Sequence, residues 1–183
     1  MIRNVDWKNT PSEFTYRLSE SHDPATKTVD SVSEFGIGEV VKYRRFTVDI
    51  DSSSNELPKL SSERTPSYSR ETLFLKVVVV GEPGLYSYTD GNLIRFFMGT
   101  SEIEQLVYKR YRAANDQIGT NEDYKQQLWN RLKCRSISIK DIEQVDYDVE
   151  DIVRVFQRYN HDCGGNAKVS QLKEKVRRDV FNL

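Results

Sequence analysis

The sequence lacks long hydrophobic runs and any excess of charge of one sign. Its longest apolar stretch is Val77–Val80, joined to Leu73–Leu75 through Lys76, and it falls short of the roughly 18 residues that indicate a transmembrane helix. The 27 Lys and Arg residues are balanced by 28 Asp and Glu residues, which leaves a net charge of −1. The sequence therefore argues against nucleic-acid partners and against direct membrane insertion by this segment.

Cysteine and histidine are also scarce, which limits the chemistry the chain can do. There are two of each: Cys134, Cys163, His22 and His161. A zinc site usually takes four ligands with closely spaced cysteines, and adjacent His161 and Cys163 with a distant Cys134 do not match that pattern. We predict no metal and no cofactor. The two cysteines can form a disulfide or remain separate thiols, and the sequence leaves both open.

Signatures of an active site are missing as well. A phosphate loop needs Gly-x-x-x-x-Gly-Lys-Ser/Thr, whereas the nearest segment, Gly81-Glu82-Pro83-Gly84, is acidic and has no following Lys. A nucleophilic Ser or Cys needs a base beside it and a group that orients the base. Cys163 with His161 is the one conceivable pair, so a thiol hydrolase of unknown class is the enzymatic alternative to a non-catalytic role.

Hydrophobic periodicity predicts a strand-rich part over residues 1–115. Apolar and polar residues alternate in the half-buried strands, while Leu73–Val80 is apolar on both faces and predicts a central strand. The predicted strands are residues 13–18, 29–37 (a short strand or turn), 43–50, 73–80, 85–88, 93–97 (after a turn at Asp90-Gly91) and 103–112. About seven strands joined by short turns favour an antiparallel β-meander, in the form of a sandwich or small barrel.

From residue 116 to residue 165 the period changes to that of amphipathic helices. The signals are the apolar stripe Tyr124–Leu128–Leu132, a capping box at Ser138 and Asp141, and a second stripe from Val149 to Tyr159 that ends before Gly164-Gly165. Residues 166–183 are predicted to be a C-terminal helix or tether. Together these patterns predict a single α+β domain over residues 1–183, with the meander followed by three or four helices.

Residues 51–70 form the longest segment without a periodic pattern. They contain seven Ser and two Pro. A loop of about 20 residues inside a domain is either a mobile surface excursion or a functional loop. If this segment binds a partner, the residues that would make the contacts are Ser52, Leu57, Leu60, Arg64 and Tyr68.

Several short segments carry a family resemblance. In chain order they are Asn4–Asn9 with Pro11, Glu13–Tyr16, Glu34–Ile37, Leu73–Val77, Leu85–Tyr88 with Gly91-Asn92, Glu104–Lys109, and Gln127–Trp129 before Leu132–Cys134. In these segments the chain resembles the N-terminal soluble region of uncharacterised cell-envelope proteins of Bacteroidota, particularly flavobacteria. The resemblance extends over residues 4–163.

The resemblance implies a location but no activity. In those proteins a signal peptide precedes the region and a predicted outer-membrane β-barrel follows it. We therefore expect this chain to be a segment of a longer protein, at the periplasmic face of the outer membrane. That compartment is oxidising, which suits a disulfide between Cys134 and Cys163. Some relatives carry the label of a tRNA-modification GTPase, and the missing phosphate loop argues against that activity here.

The main functional prediction is a non-catalytic periplasmic interaction or accessory domain of an outer-membrane-associated protein. Its partner would be another envelope protein or the parent protein's own β-barrel. Two alternatives remain: the thiol hydrolase built on Cys163 and His161, and a β domain that binds a small apolar molecule.

Overall fold

The computed structural model describes residues 2–3, 9–37 and 41–164, and in them eleven strands are followed by three α-helices. The strands are β1 Ile2–Arg3, β2 Glu13–Tyr16, β3 Ala25–Thr28, β4 Glu34–Ile37, β5 Val41–Asp51, β6 Tyr68–Val79, β7 Gly84–Asp90, β8 Leu93–Gly99, β9 Ile103–Gln105, β10 Lys109–Arg112 and β11 Ile118–Asn121. The helices are α1 Asp123–Leu132, α2 Ile139–Glu143 and α3 Val149–Asp162. The predicted α+β class is confirmed.

The main sheet is a six-stranded antiparallel meander in the order β4-β5-β6-β7-β8-β9. Its longest ladder joins β5 to β6, from the pair Tyr43–Lys76 to the pair Asp51–Tyr68. The predicted central strand is confirmed, since Leu75 and Val77 on β6 are almost fully buried. The turn between β7 and β8 is one residue later than predicted, because Asp90 pairs with Leu93 around Gly91, whose φ is +56°.

This sheet is not closed, so of the two predicted forms of the meander, sandwich or small barrel, the barrel is wrong. The last strand, β9, contacts β5 at one end, where the Asp51 N–H donates to Gln105 Oε1 at 2.8 Å. In the described residues no ladder joins the two strands. A side chain bridges them in place of backbone hydrogen bonds.

Shorter strands account for the difference between seven predicted strands and eleven observed. The predicted strand at 103–112 is two strands in different sheets, because the chain leaves β8 after Leu106 donates its N–H to the Phe96 carbonyl. Strand β10 then pairs with β11, which lies inside the part predicted to be helical. Strands β1, β2 and β3 form a third small sheet.

The helices follow their predicted stripes. Tyr124, Leu128 and Leu132 on α1 have no exposed surface, and α2 begins with the predicted capping box between Ser138 and Asp141. Helix α3 begins after Asp148, whose side chain accepts two backbone N–H groups of the first turn. The predicted helix or tether at 166–183 lies outside the described residues.

The core consists of clusters on the two faces of the main sheet. Neighbouring residues on a strand point to opposite faces, so Met98 packs with the helices while Phe97 packs on the other face. The second face carries Val48, Ile50, Leu75, Val77 and Tyr86 with Phe97. A third cluster of aromatic rings, including Phe14, Phe35 and Phe74, attaches β2 to the sheet.

Candidate functional site

The two cysteines are joined. Cys134 and Cys163 form a disulfide, with their Cα atoms 6.2 Å apart, and this bond connects the turn after α1 to the end of α3. His161 is 88% exposed at its side chain and lies 2.5 Å from the Asp162 carboxylate, a hydrogen bond that lowers the pKa of Asp162. While the disulfide is intact, the thiol hydrolase has no thiolate to use as its nucleophile.

The second histidine lies in an exposed turn. His22 Nδ1 is 2.6 Å from the Ser19 hydroxyl, and that hydroxyl also lies 2.9 Å from the Ser21 hydroxyl. A nucleophile and a base are thus adjacent, but both are exposed to solvent, where developing charge gains little from fixed dipoles. The arrangement is that of a polar turn.

The predicted loop is shorter than expected and is held in place from within. Its ends belong to β5 and β6, so the connection spans residues 52–67 with a short 3-10 helix at Leu57–Lys59. Arg95, fully buried on β8, donates from Nε to the Asp51 carbonyl at 2.8 Å and from Nη2 to the Ser53 carbonyl at 2.6 Å. Burial lowers the pKa of Arg95, and these carbonyls offset part of the desolvation.

The hairpin of β10 and β11 holds the far side of the loop. Buried Lys109 donates to the Thr65 carbonyl at 2.8 Å, the Arg110 N–H donates to Asn55 at 2.9 Å, and Asn121 donates to the Arg64 carbonyl at 3.3 Å. Hydrogen bonds thus attach both sides of the loop to the sheet and to the β10–β11 hairpin.

The five predicted interaction residues have different surroundings. Ser52 and Leu57 are exposed, Leu60 is half-buried, Arg64 pairs with Asp123 at 3.4 Å, and Tyr68 is a half-exposed residue of β6. None of the described contacts joins two of these five side chains, so they do not form one cluster.

A groove of about 740 Å³ lies between β5 and β9. It is lined by consecutive residues of both strands, 45–49 and 101–104, together with Arg70 and Arg131. Consecutive residues point to opposite faces of a sheet. A groove that touches all of them therefore runs along the strand edges, and we call it the edge groove.

Within the described part of the chain, no strand pairs with the edge of β5 along the edge groove. Strand β4 pairs with β5 only as far as Arg44, and the Arg45 N–H then donates to the Ser33 carbonyl at 2.8 Å. Beyond that point the described residues supply no strand on this side. Because backbone groups alternate in direction along a strand, Thr47 and Asp49 also direct their N–H and C=O groups away from β6, into the groove.

The facing edge of β9 is partly occupied. Leu106 donates its N–H to Phe96 on the β8 side. By the two-residue period, Glu104 also faces β8, while the backbone groups of Ile103 and Gln105 face away from β8. The Gln105 carbonyl accepts a hydrogen bond from Gln127 Nε2 at 2.9 Å. The Gln105 side-chain nitrogen is buried and has no hydrogen-bond partner among the described residues.

The two sides of the edge groove differ in chemistry. Phe46, Val48 and Ile103 belong to the apolar cluster on one face of the sheet. The opposite side is charged, with Arg45, Asp49, Arg70, Glu102, Glu104 and Arg131. Sequence reasoning missed this site, and the predicted strand lengths gave no signal for it, because residues 43–50 are no longer than the predicted neighbours 29–37 and 73–80.

A smaller cavity of about 320 Å³ lies between the main sheet and the start of α3. The half-exposed apolar residues Ile94 and Val149 are part of its lining, with the buried ring of Phe96 and the hydroxyl-bearing residues Ser87 and Thr89. Its size is near the lower end for small-molecule pockets.

Three carboxylates at the start of α3 have ligand atoms within 4.8 Å of one another: Asp146, Asp148 and Asp151. Hydrogen bonds and an ion pair at the start of α3 engage the carboxylates of Asp148 and Asp151. Asp148 accepts the N–H groups of Glu150 and Asp151, and Asp151 accepts the Asp146 N–H at 3.1 Å and pairs with Arg154. These contacts engage Asp148 and Asp151 within the first turn of the helix and the residues before it.

The fold and grooves can be compared with what is known of other proteins. Among the described residues, no helix is both long and apolar enough to cross a membrane. No protein-family model, curated protein or solved structure matches the chain. The geometry of the chain itself therefore carries the functional argument.

Proposed function

We propose that this chain is a non-catalytic interaction domain that binds a partner protein along its edge groove. The observation that carries the proposal is the edge of β5 at Thr47 and Asp49, which lines the groove and which no strand of the described residues pairs. Unpaired edges template pairing with another chain. Addition of a strand to such an edge is a recurring mode of protein recognition.

The proposed place of action is the periplasmic face of an outer membrane. The Cys134–Cys163 disulfide supports this location, since disulfides persist in oxidising compartments such as the periplasm. The resemblance to envelope proteins of Bacteroidota points to the same compartment. The partner would be another envelope protein or the barrel of the parent protein.

Site-specific photo-cross-linking in a flavobacterial envelope tests the proposal. A cross-linking amino acid replaces Glu102 in the edge groove, Leu57 on the loop, or Lys140 on α2, all of which are exposed. We expect a discrete protein adduct from position 102 and none from the control at position 140. An adduct from position 57 alone would move the interaction to the loop, and equal labelling from all three positions would remove the proposal.

A small-ligand domain is the second candidate function, and the cavity beside α3 is the observation that favours it. Native mass spectrometry of the chain purified from its envelope would show the added mass of a bound apolar molecule. Ile94 is 46% exposed on the cavity wall, so Ile94→Arg should place a charge there and abolish that added mass. The Ile94→Arg variant should still form the cross-linked adduct from position 102.

A further inference from the structure

We infer that the chain binds a neutral carbohydrate in a cleft between the 52–67 loop and the hairpin of β7 and β8. This cleft, which we call the polar cleft, has a volume of about 430 Å³. Its lining includes Asn55, Glu56 and Lys59 from the loop and Tyr88, Asp90 and Asn92 from the hairpin. The polar cleft shares no lining residue with the edge groove, so the inference goes beyond the proposed function and does not depend on it.

The loop side of the polar cleft is ordered by the fold itself. Arg95 binds the Asp51 and Ser53 carbonyls where the loop begins. Asn55 Oδ1 then accepts the Arg110 N–H at 2.9 Å, and the Asn55 carbonyl accepts from Arg110 Nη1 at 3.3 Å. Because these bonds form on folding, a ligand does not have to order the loop, and such preorganisation lowers the cost of binding.

Side chains of the loop and the hairpin meet in the polar cleft. Asn92 Nδ2 donates to Glu56 Oε1 at 2.7 Å, and Lys59 Nζ lies 2.8 Å from Glu56 Oε2. The hydrogen bonds from Asn92 and Lys59 lower the pKa of Glu56, so this carboxylate is an ionised acceptor at neutral pH. Within the described part of the chain, Asn55 Nδ2, Asn92 Oδ1 and the Asp90 carboxylate have no hydrogen-bond partner.

These groups suit a ligand that carries neighbouring hydroxyls. A hydroxyl both donates and accepts, so adjacent sugar hydroxyls can pair with the amides and the carboxylates together. The charges select a neutral ligand. Glu56 and Asp90 are acidic against the single cation of Lys59, and two carboxylates repel a phosphate or an acidic sugar.

Tyr88 supplies the apolar surface on which a sugar ring can pack. It lies against the cluster on the second face of the main sheet and is half-buried. Among the described residues no other aromatic ring stacks on Tyr88. The C–H groups of a pyranose ring are apolar and gain contact area on an aromatic side chain. A ring and hydroxyl-binding groups in one cleft distinguish a carbohydrate from a linear polyol.

Titration of the whole chain with sugars tests the inference. The probes are neutral oligomers of glucose, mannose and N-acetylglucosamine. The controls are sorbitol, which has hydroxyls but no ring, and an anionic oligogalacturonate. We expect at least one neutral oligomer, at millimolar concentration, to shift the NMR signals of the Asn55 and Asn92 side-chain amides. Neither control should do so, and the Glu102 amide in the edge groove should not shift.

A matched pair of variants locates the binding. Asn92→Ala removes an exposed amide that donates to Glu56 in the polar cleft. Asn130→Ala removes an exposed amide on α1, where Asn130 Oδ1 accepts from Gln126 at 2.8 Å. Binding of the neutral oligomer should weaken about tenfold in Asn92→Ala and stay unchanged in Asn130→Ala.

A third variant tests the aromatic ring. Tyr88→Leu keeps an apolar side chain against the sheet cluster and removes the ring, and it should also weaken binding about tenfold. Should this variant fail to fold, the two asparagine variants decide the question.

Several results would overturn the inference. These are no shift with any neutral oligomer, an equal shift with sorbitol, tighter binding of the oligogalacturonate, or equal affinity of Asn92→Ala and Asn130→Ala. Cross-linking from position 102 reports on the proposed function separately. Sugar binding without that adduct would leave the carbohydrate site standing alone, and the adduct without sugar binding would remove only the carbohydrate site.

Discussion

Arg95 shows how a single side chain fixes a long connection. Its guanidinium is fully buried and binds the carbonyls of Asp51, Ser53 and Ile94, while the nearest carboxylate oxygen, on Asp51, is 3.9 Å away. Backbone carbonyls thus provide most of the solvation that this cation loses on folding. Because the Ser53 carbonyl belongs to the start of the 52–67 loop and Asp51 directly precedes it, the conformation of the loop depends on a residue of β8.

Replacing Arg95 tests this dependence. We expect Arg95→Met to lower the free energy of unfolding by about 3 kcal/mol, because the carbonyls and the Asp51 carboxylate would remain buried without their cation. The control is Arg70→Met, which removes an exposed ion pair with Asp49 and should cost less than about 1 kcal/mol. Urea unfolding gives both values, and equal values would contradict the anchoring role.

The hydrogen bonds of Asp141 predict how the free energy of unfolding depends on pH. The Ser138 hydroxyl, the Ser138 N–H and Arg158 all bind its carboxylate and lower its pKa from 3.8 to about 2. A lowered pKa in the folded state stabilises the protein above the unfolded-state pKa, and this contribution is lost as the pH falls toward 2. The free energy of unfolding of the wild-type chain should therefore approach that of Asp141→Asn between about pH 4 and pH 2. A difference that stays constant over this range would contradict the assignment.

At the scale of single elements, the sequence predicted what local patterns determine. The alternation of Phe46, Val48 and Ile50 fixes the buried face of β5, and the spacing of Tyr124 and Leu128 fixes that of α1. The anchored loop could not be predicted, since backbone carbonyls that bind Lys109 or Arg95 leave no trace in the sequence of the loop. The short strands β9 and β10 were merged for a similar reason, because their separation depends on long-range pairing.

Strand β5 makes a prediction that tests the edge groove directly. Amides that point to β6, such as those of Val48 and Ile50, should exchange with solvent slowly, whereas those of Thr47 and Asp49 should exchange fast. Hydrogen exchange followed by NMR measures each amide separately. Leu75 and Lys76 on the central β6 serve as controls, and both should be protected because β6 has a strand on each side. Slow exchange at Thr47 and Asp49 would mean that this edge is already paired.

At the scale of the whole molecule, one cluster unites the sheet and the helices. Val79, Leu85 and Met98 from the main sheet pack with Leu128 and Phe156 from α1 and α3. Sequence periodicity predicted these residues except Met98 as apolar faces, but it could not predict whether the sheet closes, which depends on how β5 meets β9. The edge groove forms where β5 and β9 approach each other, so local sequence patterns could not predict it.

The disulfide lies outside the main sheet and adds a covalent link within the helical part of the chain. It joins residues 29 positions apart, next to α1 and at the end of α3. On the chain-entropy estimate, removing it by Cys134→Ser with Cys163→Ser should destabilise the fold by about 3–4 kcal/mol, or roughly 10 °C in Tm. Reducing agent should produce the same shift in the wild-type chain and none in the double variant.

Thermal unfolding followed by two signals tests whether the helices and the main sheet unfold together. Because the helices and the main sheet share one cluster, the helical circular dichroism signal and the near-ultraviolet tyrosine signal should change at the same Tm, before and after the disulfide is removed. Loss of the helical signal at a lower temperature than the tyrosine signal in the double variant would show that the helices unfold separately. The disulfide, and not the cluster around Leu128 and Phe156, would then be what holds them to the sheet.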